Sequence, residues 1–184
     1  MRTYSLGVKL FDVKLNDVEV PMTQGASLNR ILCQWRSQKP DLDPTCMAVC
    51  GAIWRAGKRL TDGLKPNLDR YQLDFSGMDV LLTLRRNGVE APMSPKEMSE
   101  DMMLSTGAMT ARLDRLEARG LILRRPRPGD RRALLVSLTP AGVDLVDTML
   151  DGHIAAEERM LSGLNATERQ TLLTLLSRIA HDDA

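Results

Sequence analysis

Apolar side chains recur along most of this chain at three- and four-residue steps, the period of one face of an α-helix. Leu28, Ile31, Leu32 and Trp35 predict a first helix over 28–36. Lys39-Pro40-Asp41-Leu42-Asp43-Pro44 carries two prolines and reads as a linker. Met47, Cys50, Ile53, Trp54, Gly57, Leu60 and Leu64 then predict a long helix over about 45–71, with Pro66 as a kink or an end point. Met78, Leu81, Leu82 and Leu84 mark a shorter helix over 76–87, stopped at Gly88. Ser94-Pro95-Lys96-Glu97 has an N-cap serine, a proline at the first helical position and a glutamate two residues on. It predicts a brief helix ending near Met102. Ser105 caps a further helix over 106–119, closed by Gly120. The period then changes. Leu121-Ile122-Leu123 and Ala133–Leu138 read as short strands, joined by a basic turn over 124–132. Thr139-Pro140 opens a helix to about Met160, striped by Val143, Val146, Met149, Leu150 and Ile154. Asn165-x-x-Glu168 starts a last helix that carries Leu172, Leu173, Leu175, Leu176 and Ile179.

The first 27 residues differ. Val8, Leu10, Val13 and Leu15 alternate loosely with polar residues, as in a short strand or an unstructured arm. Met22 is an alternative start. The chain thus divides into an arm of unassigned role (1–27), N-terminal helices (28–72), a central segment of short helices and a hairpin (73–138) and C-terminal helices (139–184). With 3% aromatics and abundant Met, Leu and Ala, the composition favours a mainly α fold. No apolar run approaches the roughly 18 residues of a membrane span. The N-terminus lacks a signal peptide's basic tip and apolar stretch, so the cytoplasm is expected.

The charge distribution is uneven. Net charge is +1. Between Ser105 and Arg132, however, eight arginines stand against three acids, and between Thr139 and Ala184 three arginines against eight acids. A basic block beside an acidic segment suits a chain that meets phosphate along one face. No G-x-S-x-G, P-loop, G-x-G-x-x-G or H-E-x-x-H pattern is present, which speaks against an enzyme, and no cofactor or metal is implied. Cys33, Cys46 and Cys50 are three thiols without disulfide-framework spacing. They read as small core residues, with a peroxide-sensing thiol as the sharper alternative.

Two short helices joined by a tight turn, then a basic hairpin, suggest a helix-turn-helix with a wing. The stretch from Met109 to Ile122, then Asp130-Arg131-Arg132, then Leu138-Thr139-Pro140-Ala141-Gly142, resembles the MarR family of regulators over about residues 28–180. The resemblance implies a winged helix-turn-helix homodimer, interlocked through its N- and C-terminal helices. Two recognition helices would enter successive major grooves of double-stranded DNA at a pseudo-palindrome. In that helix Met109, Leu113 and Leu116 would face the core. Ser105, Thr106, Gly107, Thr110 and Ala111 would then face base edges and phosphates, with Arg112 and Arg115 adding contacts. In the wing Arg132 would enter the minor groove, oriented by Asp130, while Arg127 and Arg131 meet phosphates.

The family commonly senses small anionic or aromatic molecules. The residues Trp35, Asp79, Arg112 and Arg124, with a twelve-residue step between the arginines, resemble the urate-responsive branch. That resemblance implies stacking of a purine anion on the indole and charge pairing with arginine. Repression is the usual mode in the family. A thiol redox regulator on the same fold, or a helical interaction module without DNA, are the alternatives.

Overall fold

The computed structural model describes residues 22–102 and 109–180, apart from the side chains of residues 22–27, 131 and 132. The chain divides into two compact units, residues 1–56 and 57–184.

The described part of the first unit holds α1 (Met22–Gln38) and the start of α2 (Thr45–Arg70). Helix α1 begins six residues ahead of the expected Leu28 and so includes the end of the expected arm. Residues 23–27 carry no apolar stripe, and pattern alone could not show them as helical. The strand or arm expected around Val8–Leu15 lies outside the described residues. Leu28 and Leu32 are buried, whereas Ile31, Trp35, Met47 and Val49 are exposed and Trp54 is 78% exposed. The three thiols are not the small core residues expected: Cys33, Cys46 and Cys50 are all exposed. Their helices carry apolar stripes that the described residues cover only in part.

The second unit contains the rest of α2, then α3 (Phe75–Asn87), α4 (Pro95–Asp101), α5 (Met109–Ala118), β1 (Ile122–Arg127), β2 (Asp130–Leu138), α6 (Pro140–Met160) and α7 (Ala166–Ala180). Local chemistry sets the helix starts. Asp74 caps α3, accepting from the Gly77 N–H at 2.7 Å. Ser94 and Glu97 form a reciprocal capping box on α4, and Asn165 and Glu168 do the same on α7. Thr139 caps α6, with Pro140 in the first turn. One core joins α3 to α6: Val80, Leu81 and Leu84 of α3, Met98 of α4, Leu113 and Leu116 of α5, Ile122 and Val136 of the hairpin, and Val146 and Met149 of α6.

The hairpin is longer than expected. Its strands take in most of the predicted basic turn and leave only Pro128-Gly129 between Arg127 and Asp130. Proline presets φ at the first turn position and Gly129 supplies the positive φ of 85° at the second. The ladder pairs Ile122 with Leu138 through Pro126 with Leu134, then jumps to Arg127 with Asp130. Pro126 has no N–H to give the ladder, and Arg131–Ala133 lie opposite that break. A short bridge adds a third edge, with N–H···O bonds of 2.9 and 2.8 Å between Met93 and Val136.

Helix α7 has no buried residue. Leu172, Leu173, Leu175, Leu176 and Ile179 are 39–61% exposed, as are Leu150 and Ile154 of α6 at 36% and 49%.

Candidate nucleic-acid interface

Helix α5 is positioned by Leu113 and Leu116, which are 2% and 3% exposed, with Met109 partly buried against the same core. The opposite side presents Thr110, Ala111, Asp114 and Arg115 to solvent, with Arg112 half-buried. Ser105, Thr106 and Gly107, expected at the helix start, lie outside the described residues. Met109, Leu113 and Leu116 therefore face inward and Thr110 and Ala111 outward, as the pattern predicts.

The arginines of α5 and its end have different tasks. Arg115 reaches Asp74 at 3.2 Å, through the carboxylate oxygen not used to cap α3. Arg119 donates to the backbone carbonyls of Gln72 at 2.7 Å and Tyr71 at 2.8 Å, just past the end of α2, where helix carbonyls lack partners. Both arginines, with Arg112, Gln72 and Asp74, line an open groove of about 260 Å³ between α5 and the start of α3.

Arg124, at the root of the wing, turns back onto α5. Its backbone N–H donates to Glu117 Oε1 at 3.0 Å and its Nε to Glu117 Oε2 at 2.9 Å. Its Nη2 meets Asp114 Oδ1 at 2.7 Å, and the side chain is 21% exposed. The hydrogen bonds from Arg124 hold the Glu117 carboxyl below its ordinary range. Glu117, and then Asp114, push the Arg124 guanidinium further toward its charged form. Farther out, Arg125, Arg127 and Asp130 are exposed on the wing. The side chains of Arg131 and Arg132 lie outside the described residues, while their backbone belongs to β2.

The residues expected around a small molecule belong to both units. Trp35 is 40% exposed on α1, in the first unit. In the second unit Asp79 is 1% exposed within α3, Arg112 lies on α5 and Arg124 on β1. The pattern did not single out Asp74, Asp114, Glu117 or Met93 as organisers of this surface. For Asp114 and Glu117 a signal existed, since acids inside a basic block need a local cation.

No helix among the described residues is long and apolar enough to cross a membrane. The MarR family profile matches residues 78–134, from α3 into the second wing strand. The transcriptional regulator PecS of Dickeya dadantii is 34% identical over 158 residues, covering 86% of this chain and 95% of PecS. Among solved structures, BpsR of Bordetella bronchiseptica, whose DNA binding is regulated by 6-hydroxynicotinic acid, superposes with a TM-score of 0.67 at 27% identity, over 73% of this chain and 94% of that one. A cysteine-to-serine mutant of MarR from E. coli, complexed with operator DNA, gives a TM-score of 0.67 at 25% identity, over 77% of this chain and 99% of that one. These relatives are regulators of transcription and not enzymes.

Proposed function

The chain belongs to the MarR family of DNA-binding transcriptional regulators, and on that footing we propose that it is a homodimeric repressor in the cytoplasm, released from a pseudo-palindromic operator by a small anionic aromatic molecule such as urate. One observation carries the DNA reading. Helix α5 shows Thr110 and Ala111 to solvent and shares a core with a hairpin that ends in Arg127 and Asp130. A major-groove reader and a minor-groove probe are thereby mounted on one rigid body. Ser105, Thr106, Gly107, Arg112, Arg115, Arg131 and Arg132 extend that surface in this reading.

The dimer reading is supported by α7, whose five large apolar side chains are 39–61% exposed among the described residues. A contiguous apolar surface of this kind marks an interface. The effector reading is supported by a partly exposed indole at Trp35 and by a guanidinium at Arg124 for which an anion would compete with Glu117 and Asp114. Any such displacement changes the link between α5 and the wing, and so couples ligand to DNA.

Footprinting on the DNA flanking the gene, with and without urate or salicylate, tests this reading. Protection of paired half-sites that urate removes supports it. Protection that neither compound alters in parent or Trp35→Ala protein would leave the regulator and refute the effector. The exposure of Cys33, Cys46 and Cys50 favours a second reading, in which peroxide releases the DNA. Its check is whether cysteine-to-serine changes abolish that release.

A further inference from the structure

Helix α5 carries two acids, Asp114 and Glu117, one turn apart on the element expected to approach phosphate. Uncompensated carboxylates there repel DNA. Both converge on Arg124, and Glu117 takes three donors from that single residue, the strand's backbone N–H at 3.0 Å, the guanidinium Nε at 2.9 Å and its Nη2. Apolar packing of Leu113, Leu116 and Ile122 also joins helix to hairpin. Such packing is non-directional, however, and fixes distance better than angle. A carboxylate held at once by backbone and side chain of one strand residue fixes the angle as well.

The angle has leverage. The Pro128-Gly129 turn lies four to five residues beyond Arg124. At about 3.3 Å per residue the tip is roughly 15 Å from the pivot. A rotation of about 10° at Arg124 therefore moves the tip by roughly 2.5 Å, several times the ~0.5 Å within which a binding group must be held. We propose that Arg124, bracketed by Glu117 and Asp114, is a positioning residue that sets the angle between recognition helix and wing and thereby the operator's advantage over other DNA. This rests on the DNA-binding reading above.

The test uses the full-length protein. Affinity is measured for the footprinted operator fragment and for a random duplex of equal length, with circular dichroism as the check on folding. Glu117→Gln keeps the shape and removes the charge. Random DNA should bind equally or slightly more tightly, while the operator-to-random ratio falls about tenfold, the scale of one lost specific contact. Arg124→Met should lower the ratio similarly, and the double variant should lower it no further than either single change. A Glu117→Gln protein that binds both duplexes more tightly in equal proportion overturns the proposal, because the acid is then only a solvated charge. An Arg124→Met protein that loses both affinities equally and flattens the salt dependence overturns it too, because the arginine is then a plain phosphate contact. Should Arg124→Met not fold, the Glu117→Gln ratio decides alone. Parent protein that binds neither duplex at low salt refutes the DNA reading itself, an outcome distinct from an unchanged ratio.

Discussion

Replacing Gly142 by alanine should be among the most damaging single-methyl changes available in this chain. A Cβ at Gly142 would stand 2.0 Å from the backbone oxygen of Leu121 and 3.2 Å from Leu138 Cδ2. An ordinary carbon–oxygen contact needs about 3.3 Å, so α6 and the base of β1 must separate by roughly 1.3 Å. The obstacle is main chain and cannot swing aside. The same carbonyl accepts the Thr139 N–H at 3.0 Å, and Thr139 Oγ1 both donates to the Gly120 carbonyl and accepts from the Gly142 N–H. Separation costs about 1–3 kcal/mol in overpacking. Loss of the Thr139–Leu121 bond adds about 1 kcal/mol, and a weakened cap about 1 kcal/mol more. Alanine's better helix propensity returns about 1 kcal/mol. The net is a destabilisation of roughly 2–4 kcal/mol, or a fall in Tm of about 5–15 °C at this chain length. Urea unfolding followed by circular dichroism at fixed protein concentration measures it, with Gly163→Ala as the control. A Cβ at Gly163 meets nothing within 4 Å, and that change should be neutral or slightly stabilising. A Gly142→Ala protein within about 1 kcal/mol of the parent would refute the close-approach argument.

Leu173→Glu with Ile179→Glu, at positions 60% and 61% exposed in the single chain, should shift sedimentation toward monomer. It should weaken self-association about a hundredfold or more, as buried apolar side chains are lost from both subunits. Arg115, Arg119 and Arg124 make ion pairs or hydrogen bonds within the chain, so fewer than the sixteen basic-block arginines of a dimer are open to phosphate alone. The slope of log affinity against log salt for the dimer should then be shallower than about −14, and Arg127→Ala should flatten it by about one unit per subunit. Acid should also destabilise the fold. Glu97, held low by the Ser94 backbone N–H, and Asp147, held low by the Arg85 guanidinium, have folded values below the ordinary 4.5 and 3.8. Their contribution is complete above those ordinary values and disappears as pH falls through the depressed ones, so Glu97→Gln should flatten the acid limb of a Tm–pH profile.

Helix starts were legible because capping is local. Ser94 with Glu97, Thr139 with Gly142 and Asn165 with Glu168 each place donor and acceptor within one turn, and each bond is present. The wing's extent was not legible. Arg124–Arg127 and Asp130–Arg132 have no alternation of apolar and polar residues. They are strand only because the opposite chain pairs with them across a two-residue turn. The Met93–Val136 bridge is likewise a long-range fact without a local signature. The cysteines show the converse error. Helical period placed Cys50 on an apolar stripe, but a stripe predicts burial only where something covers it, and the described residues leave Cys50 exposed.

The basic block illustrates how far charge counting reaches. Its eight arginines, read as a sum, point to phosphate. Arg119 in fact completes the end of α2 through two backbone carbonyls, and Arg115 shares Asp74 with the cap of α3. Arg124 is held by the acids that the sum subtracts. A guanidinium has five donors in a fixed fork, and folding can satisfy them on carbonyls and carboxylates before any ligand arrives. The same residue type therefore builds the reading head and charges it. Separating the two tasks needs the distances between α2, α3, α5 and β1, elements whose contacting residues stand as far as 48 positions apart. The arginines whose partners are spelled out nearest in the sequence, Arg124 with Glu117 seven residues away, are also those where an acid in the basic run carried the information.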